Sequence, residues 1–305
     1  MASEKTGEAR LRELARQFRK LESEKLLELR IPVKMYGYRA PTAKLRRLFA
    51  KAMPYASISE SSDLRSTFIL HTRADRFIQA EDKRSERTTA DAALNAFRTA
   101  QFFLLGLSVV THSLITWRTI EIDDHVVEGL DLLSGNHLDV RIEASGGVRD
   151  GSLKLDAGHL SAAIDLMQTT MPWHIRFLQL FQRGEMLSVL PQWPLLAFTE
   201  DAYLCFFKCI EYLVMDRVLD IKGQMQPKHL LSALERVGVE VASAKSFARS
   251  LVRTRGQKAA HMLKGYADFS VAAGEVYDLK KFVDLLVIAT SRFEARICGW
   301  NPAPV

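Results

Sequence analysis

The stretch Ala244–Lys264, AKSFARSLVRTRGQKAAHMLK, constrains this chain more than any other. It holds Lys245, Arg249, Arg253, Arg255, Lys258 and Lys264 and no acidic residue. Its apolar positions recur at helical spacing, Phe247, Leu251, Ala259 and Met262, so a helix here has one face to bury and another that is strongly positive. Such a surface must be answered by a polyanion or by carboxylates from elsewhere in the fold. Arg255 lies on the apolar stripe, aimed at a packed seam. His261 follows six residues later, about 240° further round a regular helix, so the two share a face only if the helix breaks. Gly256, directly after Arg255, supplies such a break as a C-cap or kink.

A second odd charge lies upstream. In a helix expected over about 200–219, Glu211 shares its stripe with Leu204, Phe207, Val214, Met215 and Val218. A carboxylate there costs several kcal/mol unless a cation or donor meets it. Glu211 and Arg255 are therefore expected to meet, either as a structural buried ion pair or with Glu211 orienting Arg255 toward a phosphate. An arginine neutralises a phosphate, and a histidine with an unperturbed pKa near 6.5 exchanges protons at neutral pH.

The rest of the pattern places this stretch. The 305 residues are 48% apolar and 9% aromatic, enough for two compact domains or one with a large extension. The only cysteines, Cys205, Cys209 and Cys298, point to a reducing, cytoplasmic setting. The N-terminus has no apolar core of a signal peptide. The most apolar run, Phe102 to Ile115, falls short of the roughly twenty residues that span a bilayer, so no membrane partner is expected. The formal charge of +6 is concentrated in residues 1–51, with fourteen Lys or Arg against six Glu. Residues 8–30 carry Leu11, Leu14, Phe18 and Leu21 at helical spacing, and Ile31-Pro32 closes that pattern. Thr42 caps a short helix to Ala52. Together residues 1–55 read as a basic helical arm, dispensable for the fold of the remainder.

Residues 56–150 change character. Strands are expected at 66–71, 116–122 and 138–143, and a helix from Thr89 to Ile115, giving a small α+β subdomain. Helices follow at about 157–170, 173–184, 200–219, 227–237, 242–264 and 278–297, with Pro227 opening one and Gly238 closing it. The fold class is thus mainly α, with a helical bundle over 155–300. No phosphate loop, no paired histidines or cysteines at metal-ligand spacing and no GxSxG elbow occur, so neither a metal nor another cofactor is expected.

The run Arg255–His261, with the apolar helix Tyr203-Leu-Cys-Phe-Phe-Lys-Cys-Ile-Glu-Tyr-Leu213 upstream, resembles the HEPN superfamily, in particular its ApeA-like branch. The resemblance covers about residues 155–300. It implies a dimerising helical bundle and a metal-independent ribonuclease, of the kind used in defence, with RNA as partner. Arg255 would stabilise the phosphate, His261 would act on the 2′-hydroxyl to leave a cyclic phosphate, and Glu211 would support the arginine. Lys245, Arg249, Arg253, Lys258 and Lys264 would grip the RNA backbone. The position after the arginine, often polar in that family, is Gly256 here. On that departure rests the alternative, a degenerate module serving as a dimerising scaffold or ligand-sensing domain.

Overall fold

The computed structural model describes residues 6–12, 26–53, 55–61, 65–75, 89–117, 119–122, 125–129, 151–189, 198–240, 244–255 and 271–298. Among these, helix predominates over strand, and the strands form a small antiparallel sheet and a two-stranded parallel ladder. The chain divides into two compact units, Met1–Met171 and Pro172–Val305. No helix among the described residues is long and apolar enough to cross a membrane.

The first unit is built on β1 (Leu26–Met35). It pairs antiparallel with β4 (Thr67–Asp75) along one edge and with β5 (Ile115–Trp117) and β6 (Thr119–Ile122) along the other. The sheet runs β3-β4-β1-β6-β7, with β3 at Ala56–Glu60 and β7 at His125–Gly129. This corrects the expectation of a helix over 8–30, since the part from Leu26 onward is the strand to which both halves of the sheet attach. Leu27, Leu29, Ile31, Val33 and Met35 alternate at period 2 and are each at most 1% exposed. Pro32 closes no helix. Met35 donates to Ser66 of the turn before β4, so alternation turns the position of Pro32's missing N–H toward β5 and β6. There the ladder passes from Glu121 opposite Arg30 to Trp117 opposite Val33.

The core face of this sheet is covered by helices. α1 (residues 6–12) is followed by α2 (Ala43–Ala52), whose N-cap Thr42 accepts from Leu45 N–H at 3.4 Å. α3 (Thr89–Thr111) lies on β1 and β4, and Phe49 of α2 meets Phe103 of α3 at 4.9 Å between ring centroids. The expected strand 116–122 is split into β5 and β6, and the expected strand 138–143 lies outside the described residues. α4 (Ala157–Thr170), expected in the C-terminal bundle, instead packs along α3 in the first unit. The approach is close enough to require glycine: a Cβ on Gly106 would stand 2.5 Å from the Ala163 carbonyl, and one on Gly7 of α1 would stand 2.4 Å from Gly158 N. Gly151, at the re-entry to β8 (Leu153–Lys154), holds a left-handed φ of 68°, and β8 pairs parallel with β2 (Tyr38–Arg39).

Residues 1–55 are therefore no separate arm. Several of their cations meet partners inside the unit: Arg10 meets Asp165 at 2.9 Å, Lys44 meets Glu8 at 2.6 Å, Arg46 meets Glu60 at 3.0 Å and Arg39 donates to the Gly151 carbonyl at 2.7 Å. Asp165, Glu121 and Glu60, all outside residues 1–51, thus offset part of the charge excess read from the sequence.

The described elements of the second unit are all helices. α5 (Ile175–Val189) and α6 (Phe198–Tyr212) form its most extensive contact, and α9 (Ala273–Ile297) packs on both. Phe181 and Phe206 meet edge to face at 5.9 Å, and Phe177, Phe181, Phe206 and Phe207 are at most 2% exposed. α6 does not stop at Tyr212 but widens into a π-helical segment, Leu213–Leu219, which ends on Asp220 at φ 51°. α7 (Pro227–Val237) begins on its proline and ends on Gly238 at φ 74°, as the sequence reading expects. α8 (Ala244–Thr254) packs against α7 and reaches α9 through Phe247 and Phe282, whose rings lie 4.7 Å apart.

Candidate nucleic-acid interface

α8 carries the cations as the sequence pattern requires. Ala248 and Leu251 are buried, while Lys245, Arg249 and Arg253 at four-residue intervals are exposed on the outer face. Successive members of that stripe are about 6 Å apart along the axis, and no acidic residue interrupts residues 244–255. Lys258, His261 and Lys264 lie outside the described residues.

Arg255 directly follows α8 and is half-buried. Its guanidinium carbon stands 5.8 Å from the centroid of the Phe207 ring, over the apolar surface of α6. Its Nε is buried and has no hydrogen-bond partner among the described residues. Tyr203, one turn before Phe207, fixes the same seam: its hydroxyl reaches the Leu251 carbonyl at 3.5 Å, and burial pushes its pKa up to about 12 despite an opposing hydrogen bond with Thr254.

Glu211 does not meet Arg255 in the way the sequence reading expects. One of its carboxylate oxygens takes the Lys208 ammonium, three residues earlier on the same helix. The other accepts from Met225 N–H at 3.3 Å. An i,i+3 cation on its own helix is the nearer partner, and the loop after the π-helical segment supplies the donor. The apolar stripe is real, with Phe207, Val214, Met215 and Val218 all buried, but Glu211 sits at its margin with 16% of its side chain exposed. Of the expected catalytic set, Arg255 and Glu211 are thus held by separate partners, and His261 is outside the described residues.

Both described ends of the segment carrying His261 are fastened to α6. Arg255 leaves over Phe207, and Val271 N–H returns to donate to Glu200 at 3.3 Å, two turns up the same helix. Glu200 is only 7% exposed, so this anchor is a buried hydrogen bond. Glu200 was not among the residues that sequence reasoning singled out.

Two further charged groups of this unit escaped the sequence reading. Lys280 and Asp284 of α9 pair at 2.9 Å with both side chains 0% exposed, and the Lys280 ammonium lies 5.7 Å from the Phe181 ring centroid. Their position on the stripe Val276, Leu279, Val283 and Val287 is the same signal that drew attention to Glu211. Glu294 accepts from Arg217 Nε at 2.7 Å and from Trp173 Nε1 at 2.9 Å, tying the π-helical segment to α9 and to the chain before α5. Cys205 and Cys209 are buried thiols; burial pushes Cys205 to about 11 and Cys209 well above the ordinary range, so both are protonated core residues at neutral pH.

Comparison of the chain with family models, with curated proteins and with solved structures finds no match.

Proposed function

We propose that the C-terminal unit binds RNA through α8 and cuts it without metal, Arg255 and His261 acting together in the manner that the HEPN resemblance implies. The observation that carries this reading is the state of Arg255. Its guanidinium is held over Phe207, Nε has no partner among the described residues, and Glu211, the carboxylate that could have consumed it, is engaged by Lys208 and Met225. A guanidinium positioned by packing and not neutralised by Glu211 is suited to a phosphate, which it can take in a bidentate fork. Lys245, Arg249 and Arg253 extend the positive surface away from it along one helix face. Cleavage follows if His261 takes the proton of the 2′-hydroxyl as its oxygen bonds to phosphorus, the bond to the 5′-oxygen breaks and that oxygen leaves with a proton, while Arg255 stabilises the charge developing on the phosphate oxygens. Two copies pairing through the helical unit would place two such sets together, again as the resemblance implies. The alternative, an inert scaffold, would have been favoured by an Arg255 spent on Glu211.

Binding is tested by the salt dependence of single-stranded RNA affinity. Each phosphate neutralised contributes a log–log slope of about 0.7, so Lys245→Gln/Arg249→Gln/Arg253→Gln should flatten the slope by about 2. An unchanged slope, or wild-type protein without salt-dependent binding, would remove α8 as the interface.

A further inference from the structure

The outer face of the first unit's sheet carries a second constellation, remote in sequence from the helical motif. Period-2 alternation sends Ala56 and Ile58 of β3, Leu70 and Thr72 of β4, and Leu27 and Leu29 of β1 into the core. The intervening residues, Ser57 and Ser59, His71 and Arg73, and Glu28 and Arg30, therefore share the opposite face. Register then makes neighbours of three of them. Ser57 lies opposite His71, so Ser59 is its diagonal neighbour on one side; Arg30 lies opposite His71 on the other strand, so Glu28 is its diagonal neighbour there.

The side chains meet along this diagonal. Ser59 Oγ is 2.8 Å from His71 Nε2, and His71 Nδ1 is 2.6 Å from Glu28 Oε1. Arg73 Nε donates to the second Glu28 oxygen at 3.1 Å. Burial alone would raise the Glu28 pKa, but the His71 hydrogen bond and the Arg73 charge outweigh it and hold the carboxyl below 4.5. An ionised carboxylate only accepts, so Nδ1 must carry the proton it receives. With Nδ1 as the donor, a ring without a second proton offers Nε2 as the acceptor for the Ser59 hydroxyl. The order hydroxyl, imidazole, carboxylate is the proton relay that activates a serine, and it is recognised by geometry and not by sequence position.

We infer that Ser59, His71 and Glu28 form a nucleophilic relay on the sheet face that accepts an acyl group from a carboxylic ester. The Ser59 oxygen forms a bond to the carbonyl carbon while His71 Nε2 takes its proton; the carbon–oxygen bond to the leaving alcohol breaks, and that alcohol departs with the proton from His71. Water reverses the sequence, releasing the acid and restoring Ser59. Glu28 touches no reacting atom and is a positioning residue, fixing the ring's tautomer and orientation. β3 ends the sheet order among the described strands, and Ser59 is half-exposed on it, so an ester can approach from that edge. No GxSxG elbow marks this serine in the sequence, because its partners come from two other strands.

A fluorophosphonate probe, applied to the full chain with peptide mapping by mass spectrometry, reads the relay directly. The expected result is an adduct on Ser59 and not on Ser57, which shares the strand face two residues away without the relay. His71→Gln should slow the reaction at Ser59 by about a hundredfold or more. Glu28→Gln should lower the maximal labelling rate while leaving the half-saturating probe concentration unchanged, and Glu28→Asp should restore part of the rate. Equal labelling of Ser57 and Ser59, no adduct on Ser59 in folded wild-type protein, or an unchanged rate in His71→Gln would each overturn the inference. The Ser59-to-Ser57 comparison needs no variant, so it decides the matter even where a substitution unfolds the sheet.

Discussion

Removing one member of the Lys280–Asp284 pair tests the packing of the helical unit at its most demanding point. At 2.9 Å, two unit charges attract by about 6 kcal/mol at an effective dielectric of 20. Taking both ions out of water costs several kcal/mol each, so the pair comes out close to neutral against an apolar replacement. The single substitutions differ sharply from this. Asp284→Ala leaves the Lys280 ammonium at 0% exposure without its carboxylate and should cost about 3–5 kcal/mol. Lys280→Met takes the ammonium from a carboxylate that is 0% exposed and should cost a similar amount. The double variant Lys280→Met/Asp284→Leu removes both charges and should lie within about 2 kcal/mol of wild type, giving a coupling of several kcal/mol in a double-mutant cycle. Calorimetry of the full chain reads this as a fall of roughly 10 °C or more in the transition of the C-terminal unit for each single variant, and near-recovery in the double. Singles costing under about 1 kcal/mol, or effects that simply add, would show that the two side chains do not depend on each other.

Two further outcomes follow from the first unit. Deleting residues 1–51 removes β1, to which β4, β5 and β6 all pair, so the truncated chain should lose the sheet's hydrogen-exchange protection in β4; retained protection would mean that β1 is peripheral. Glu28, with its folded pKa held below the usual 4.5, contributes stability that is fully present above about pH 4.5 and is lost as pH falls through the lower folded value. The difference in melting temperature between wild type and Glu28→Gln should therefore narrow on acidification from pH 7 to 3, whereas a constant difference would mean that the carboxylate's partners do not favour its ionised form.

Legibility in the sequence tracked how local each determinant is. The Thr42 cap, Pro227 and Gly238 act within a few residues, and the helices they bound are found where expected. The cation stripe of α8 needed only the helical period. β1 was misread because Leu26-Leu27-Glu28 are helix formers that follow an amphipathic pattern, and strand pairing overrode that preference from Leu26 onward. Its alternation of Leu27, Leu29, Ile31 and Val33 was present, but Ile31-Pro32 was read as the end of a helix. Glu211 and Arg255 were both recognised as charges needing partners. Which partner each takes depends on Lys208, Met225 and Phe207, and two of those contacts, with Met225 and Phe207, depend on loop geometry and tertiary packing. The relay of Ser59, His71 and Glu28 depends wholly on register between three strands, which no local pattern encodes.

The central claim, that Arg255 serves RNA cleavage, is tested most directly by incubating the full chain with mixed RNA in EDTA and measuring cyclic-phosphate ends. Wild-type protein should produce them, and Arg255→Ala and His261→Ala should each reduce the rate by about a hundredfold or more, with His261→Ala leaving RNA affinity largely intact. Cyclic-phosphate ends that form at the wild-type rate in Arg255→Ala, or that never form with wild-type protein, would contradict it.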